Sequence, residues 1–134
     1  MLKQISIFAE NTKGTMMTIT GILRENEINI WGSVNNDSAE FGIVRMVVSD
    51  PQKASEKLSE AGYMNRIENV LGVEMQDEVG NLNNLLTVLV DSNVNVDYMY
   101  LSLNRDSGKP VIIFHTMDIF EVEICLKNKG LVTV

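Results

Sequence analysis

Aligned with itself, the chain repeats, and this constrains its fold more than any single motif does. At an offset of 66 residues, Asn11-Thr12-Lys13-Gly14-Thr15-Met16 falls on Asp77-Glu78-Val79-Gly80-Asn81-Leu82, Leu23 on Leu89, and Ile28-Asn29-Ile30 on Val94-Asn95-Val96. Upstream, Ile5, Ile7 and Ala9 fall on Leu71, Val73 and Met75. Towards the end the offset becomes 68, pairing Asp50 with Asp118, Leu58 with Leu126 and Gly62 with Gly130. A longer hairpin turn in the second half explains the change, since Asn104 to Lys109 replaces Asn35 to Ala39 and surface loops absorb insertions at little cost. Self-similarity at a fixed period means that one supersecondary unit is used twice.

Each half carries the same series of signals. Ile5 to Ala9 alternates apolar and polar with a period of two, as a half-buried strand does. From Thr15 to Asn26 the residues Met16, Ile19, Ile22 and Leu23 recur at helical spacing, as do Leu82, Leu85 and Leu89 in the second half. Apolar runs on both sides of Asn35-Asn36-Asp37, and again on both sides of Asp106-Ser107-Gly108, predict two β-hairpins. Asp50-Pro51 predicts an N-cap with proline at the first helical position, and Asp118 with Glu121 resembles a capping box. Gly62 and Gly130 are predicted to stop those helices, with a last strand from Tyr63 to Ile67 and from Leu131 to Val134. The order βαββαβ, twice, predicts an α+β fold of two ferredoxin-like units with antiparallel sheets and helices on one face. The units are expected to span residues 1–69 and 70–134 and to join into one eight-stranded sheet, because long strands left unpaired at an edge are a liability.

Composition narrows the chemistry. With 134 residues and 45% hydrophobic content the chain can fill two thin cores, each marginal by itself. No apolar run approaches the roughly 20 residues of a membrane span, and the N-terminus leads straight into a strand pattern, so a soluble, cytoplasmic protein is expected. The net charge of -7 repels nucleic-acid phosphates and anionic membranes, leaving small molecules or proteins as partners. RNA-binding domains of the same βαββαβ order need basic surfaces and stacking aromatics, which this chain does not supply. A single histidine and a single cysteine, His115 and Cys125, lie in a strand and a helix pattern. Neither belongs to a metal or nucleophile motif, so no metal, cofactor or catalytic group is expected. Trp31, Tyr98 and Tyr100 line the second strand of each half, where they pack or close a pocket.

The strand, the loop Asp77-Glu78-Val79-Gly80-Asn81-Leu82, the helix, the Ile28-Asn29-Ile30 strand start and the Asp50-Pro51-capped helix together resemble the ACT domain. This is the small regulatory module of many amino-acid-metabolism enzymes, here as a tandem pair over essentially the whole chain. The family loop usually reads D-x-P-G; Lys13 and Val79 stand where its proline would be, and Asn11 replaces the acid in the first copy.

What the loops could hold follows from their chemistry. A helix N-terminus offers unpaired N–H groups and partial positive charge to a carboxylate. Gly14 and Gly80 let a ligand approach the backbone, and Asn11 or Asp77 could accept from an ammonium group. Carboxylate and ammonium together describe a free amino acid. The expected contacts are Asn11, Lys13, Gly14, Thr15 and Met16 in the first copy, and Asp77, Val79, Gly80, Asn81 and Leu82 in the second, which keeps the acid and is expected to be the stronger site. The resemblance implies that each loop faces a neighbouring strand start, adding Asn29, Ile30, Asn95 and Val96. The same residues also suit a plain turn and helix cap, a reading that stays open.

Because the chain ends inside its last strand, the expectation is a stand-alone, non-catalytic amino-acid sensor, either with a separate metabolic enzyme as its target or simply reporting or buffering its ligand. The alternative is a ligand-free interaction module. A homodimer is expected, with Phe8, Met46 and Phe114 contributing to an open sheet face.

Overall fold

The computed structural model describes residues 1–36 and 42–134. Its elements run β1 (Leu2–Ala9), α1 (Thr15–Glu25), β2 (Ile30–Asn36), β3 (Gly42–Val48), α2 (Pro51–Glu60), β4 (Met64–Glu74), α3 (Asn81–Asp91), β5 (Tyr98–Leu103), β6 (Pro110–His115), α4 (Ile119–Asn128) and β7 (Val132–Thr133). The tandem βαββαβ order is therefore present. Part of the expected first hairpin turn, at residues 37–39, lies outside the described residues. Among the described residues seven strands stand where eight were expected, because β4 occupies the place of the fourth strand of one copy, the link, and the first strand of the next. Glu68-Asn69-Val70 contains no glycine or proline, so nothing in that link interrupts extended backbone. Contacts divide the chain into two compact units, one of Lys3–Glu68 and one of Met1–Leu2 with Asn69–Val134.

In the unit of Lys3–Glu68, β3 pairs antiparallel with both β1 and β2, setting Ile5 opposite Met46 and Met46 opposite Ser33. Ile5, Ile7, Ile19, Leu23, Met46, Ala54 and Leu58 are fully buried in its core. Leu23 follows Ile19, and Leu58 follows Ala54, at the i, i+4 spacing that turns one helix face to the sheet. The other face of β1 is polar. Gln4 donates to Ser6 Oγ at 3.1 Å, Ser6 Oγ donates to Glu68 Oε2 at 2.6 Å, and the Arg66 guanidinium lies 5.5 Å above the Phe8 ring.

In the unit of Asn69–Val134 with Met1–Leu2, β6 pairs with β4 and β5, and β7 adds to β4 through Val73 and Thr133. Leu71, Val73, Leu85, Leu89, Phe114 and Leu126 fill its core. A Cβ on Gly72 would meet Val134 Cγ2 at 2.7 Å and Leu2 Cδ1 at 2.9 Å, so a side chain there would force both neighbours to shift. The N-terminal ammonium reaches Glu123 Oε2 at 2.9 Å and donates to Val134 O at 3.2 Å. Met46 and Phe114, expected on an open sheet face, are instead fully buried in the two cores, and the Phe8 ring is covered by Arg66.

All four helices end in one hydrogen-bond pattern. After α2 and α4, Tyr63 N–H reaches Leu58 O and Leu131 N–H reaches Leu126 O, with Gly62 and Gly130 at φ +90 and +81° as the sequence predicts. After α1 and α3, Ile28 N–H reaches Leu23 O and Val94 N–H reaches Leu89 O in the same way, but Glu27 and Asn93 hold the left-handed position at φ 57°. At the N-termini, Asp50 caps α2 by accepting from Lys53 N–H at 3.0 Å. Asp118 stands at the N-cap of α4 but makes no side-chain cap, so the expected capping box is absent.

Candidate functional site

The loops ahead of α1 and α3 have one construction. Thr12 N–H bonds to Glu10 O and Thr15 N–H to Thr12 O; at the offset of 66, Glu78 N–H bonds to Gln76 O and Asn81 N–H to Glu78 O. Gly14 and Gly80 both sit at the N-cap with φ 90°, and neither helix has a side-chain cap. Beyond Thr15 and Asn81, whose N–H groups are used within the loops, the first helical turns keep donors and the positive end of the dipole without a side-chain cap. No heavy atom lies within 4 Å of an ideal Cβ at either glycine, so the space above each is open. The left-handed φ adds a second reason for glycine that the sequence reading did not include, and a side chain there strains the backbone whether or not a ligand binds.

The surroundings of the two loops differ. Asn11, Thr12, Gly14, Thr15 and Met16 line a cleft of about 210 Å³ whose far wall is Asn35, Asn36 and Gly42. Thr12 and Thr15 hydroxyls lie 2.8 Å apart across its lip. Asp77, Val79, Gly80 and Leu82 of the second copy are exposed, as are Asn11 and Gly14 at the rim of the first. Asn81 contributes to a mostly apolar cleft of about 230 Å³ with Val73, Leu85, Val88 and Leu131, while its side chain donates to Gln76 O at 2.8 Å. Lys13 is exposed.

Within its own unit, Asn29 is not part of the loop cleft; it follows the far end of the 11-residue α1, and an 11-residue helix is roughly 16 Å long. Its N–H donates to Ser49 Oγ at 2.9 Å, and Ile30 begins β2. Asn95 and Val96 fall just before β5, which begins at Tyr98, and not inside a strand.

His115 has a partner that the sequence did not expose. Its Nδ1 lies 2.8 Å from Asp97 Oδ2, and its ring stacks on Tyr98 with centroids 5.4 Å apart. The two residues are 18 apart in sequence and meet only because β5 and β6 pair in register, so no local motif could show it. Among the described residues no group of three or more His, Cys, Asp or Glu is placed to hold a metal ion, and no helix is long and apolar enough to cross a membrane.

Two βαββαβ units that repeat one glycine-capped loop at the head of their first helix define a tandem regulatory module. The chain belongs to the ACT domain pair family, whose model matches residues 1–131. This is a regulatory, amino-acid-binding family. A Bacteroides thetaiotaomicron protein of known crystal structure is similar at 29% identity and a TM-score of 0.90, over 99% of this chain and 91% of that one. The ligand-free regulatory subunit of aspartate kinase from Thermus thermophilus shares the fold at 13% identity and a TM-score of 0.63, over 84% of this chain and 81% of that one. The corresponding subunit from Thermus flavus does so at 13% identity and a TM-score of 0.63, over 93% and 88%. No curated protein matches the chain.

Proposed function

We propose that the protein is a non-catalytic sensor that binds a free amino acid at a β1–α1 type loop and, through that binding, regulates a separate metabolic enzyme. The observation that carries this reading is the pair of helices α1 and α3, each opening on a glycine in the left-handed region with no side-chain cap. An uncapped helix start is a good seat for a carboxylate, and the adjoining side-chain oxygens suit an ammonium group. The binding units are the two repeats, 1–69 and 70–134.

Charge favours the second loop, which has Asp77; shape favours the first. An exposed ion pair contributes about 0–1 kcal/mol, whereas a concave cleft adds contacts from several sides of the ligand. The cleft at Asn11 therefore becomes the principal seat in this proposal, with Asn11 meeting the ammonium and the N-terminus of α1 the carboxylate. Met16 lines the same cleft and would meet the ligand's side chain, whereas Lys13 is exposed beside it and Asn29, Ile30, Asn95 and Val96 enter this reading only through the family resemblance.

A ligand-free interaction role is supported by one separate observation. Met117, just ahead of α4, and Phe120 and Ile124 on it are 84, 64 and 60% exposed and make an apolar stripe, at positions where the first repeat has Ser49, Gln52 and Glu56. Such a stripe suits a homodimer, working in the cytoplasm in this reading. Thermal melting of the full chain with each of the twenty amino acids tests the sensor. A rise in melting temperature with at least one of them at millimolar concentration, reduced in Asn11→Ala, supports it. No shift with any of them sinks it.

A further inference from the structure

The second repeat has another cleft at the opposite end of α3, independent of the loop reading. It encloses about 410 Å³, and its lining includes Asp97, Asp118 and Glu121 but no lysine or arginine. None of the three carboxylates is needed by the helix that carries or adjoins it. Asp118 makes no cap bond, Glu121 is exposed in the first turn of α4, and Asp97 uses Oδ2 for His115 while Oδ1 meets only the Asn95 amide at 3.5 Å.

Acidity by itself would be an ordinary solvated surface, but polar groups beneath it lack partners. Thr116 is only 4% exposed and lines the cleft, yet among the described residues its hydroxyl has no hydrogen-bond partner. Ser92 Oγ, also in the lining, is buried without a partner. Ser92 Oγ is thus a buried hydroxyl left unsatisfied, and the Thr116 hydroxyl, which is not closed off in that way, is free to accept from an occupant of the cleft.

The first repeat carries different chemistry at the same place. Trp31 stands for Asp97, Val48 for Thr116, Ser49 for Met117, Lys53 for Glu121 and Lys57 for Cys125. Asp50 is used as a cap, and Ser49 ties itself to Asn29 through both its Oγ and its N–H, each at 2.9 Å. Among the described residues the bond from Met117 N–H to Asn95 O that would correspond is not made. One repeat is thus tied down and mixed in charge at this point, and the other is acidic.

We propose that this cleft binds a small aliphatic amine with two or more ammonium groups and no carboxylate. Val94 and Val122 offer surface to its methylenes, the three acids face its charges, and the Thr116 hydroxyl accepts from one ammonium. A free amino acid is disfavoured because its carboxylate would lie against the acids.

Calorimetry with 1,4-diaminobutane and with spermidine, at a physiological ionic strength of about 0.15 M, tests the proposal on the full chain. Both amines should bind at millimolar concentration or tighter. Thr116→Val and Glu121→Lys, which install the first repeat's residues, should each weaken binding by about tenfold or more, and the control Glu56→Gln on α2 should leave it unchanged. Melting curves without ligand check that the variants fold, and Glu121→Lys, at an exposed position, keeps the test sound if Thr116→Val does not. No binding of either amine, unchanged binding in folded Thr116→Val and Glu121→Lys, or equal weakening by Glu56→Gln would overturn it. So would tighter binding of magnesium chloride that responds to the same variants.

Discussion

The two repeats agree where the backbone is under constraint and differ where it meets solvent. Their loops before the first helix repeat hydrogen bond for hydrogen bond, Thr12 to Glu10 as Glu78 to Gln76. Their cores exchange Met46 for Phe114 at one fully buried position. At the start of the second helix they part, since Asp50 caps and Asp118 does not. A duplicated unit keeps the local geometry that its fold requires, and the rest of the surface can take on separate tasks.

That division can be broken first at the core. Phe114→Ala should cost about 3–5 kcal/mol and Met46→Ala about 2–5 kcal/mol, read from urea denaturation, with the larger residue leaving the larger cavity. A loss below about 1 kcal/mol for either would mean that the cores are not packed as described. The loops come next. Gly14→Ala and Gly80→Ala should each cost about 1–2 kcal/mol through the left-handed φ alone, equally in both repeats, because neither Cβ would touch anything. An unequal loss would separate the two loops. Valine at Gly80 is for this reason a poor probe of binding.

The caps give a sharper contrast. Asp50→Ala should cost about 1 kcal/mol, the usual value of a side-chain cap, whereas Asp118→Ala should lie within about 0.5 kcal/mol of the parent. Equal losses would contradict the difference between α2 and α4. Where the helices end, Glu27→Gly should stabilise the chain by up to about 1 kcal/mol, since glycine relieves a left-handed residue, as Gly62 already does after α2.

The smallest effect is on pH. The N-terminal ammonium hydrogen-bonded to Glu123, with Lys127 beside it, holds this carboxyl below its usual value. A lowered folded-state value contributes stability that is present above the ordinary carboxylate range and is lost as pH falls through the lowered value. Acid titration of stability should therefore be shallower in Glu123→Gln than in the parent below about pH 4.3.

Much of the fold was legible in the sequence because its signals are local. Gly62, Gly130 and the Asp50-Pro51 pair each act within one turn of chain, and the offset of 66 survives in side-chain type even where identity is lost. Glu27 was not legible as a helix terminator, because the pattern of bonds around it, and not its own preference, sets φ; Asn93 is a residue that tolerates the left-handed position, a signal the sequence reading did not use. The continuity of β4 was missed since eight strands is what two complete copies imply. Of the candidate site, the loops and their glycines were visible, but their unequal surroundings were not. The Asn11 cleft depends on β2 and β3 lying across from the loop, and the Asp97 to His115 pair depends on strand register. Both are long-range facts that no window of sequence contains.

The most direct measurement is a calorimetric titration of the full chain with the twenty amino acids, repeated for the best ligand on Asn11→Ala and Asp77→Ala. The cleft at the first loop predicts that at least one amino acid binds at millimolar concentration or tighter, and that Asn11→Ala weakens it by about tenfold or more while Asp77→Ala changes it less. Binding that both variants leave as in the parent, or none at all by a folded parent, would contradict an amino-acid site at these loops.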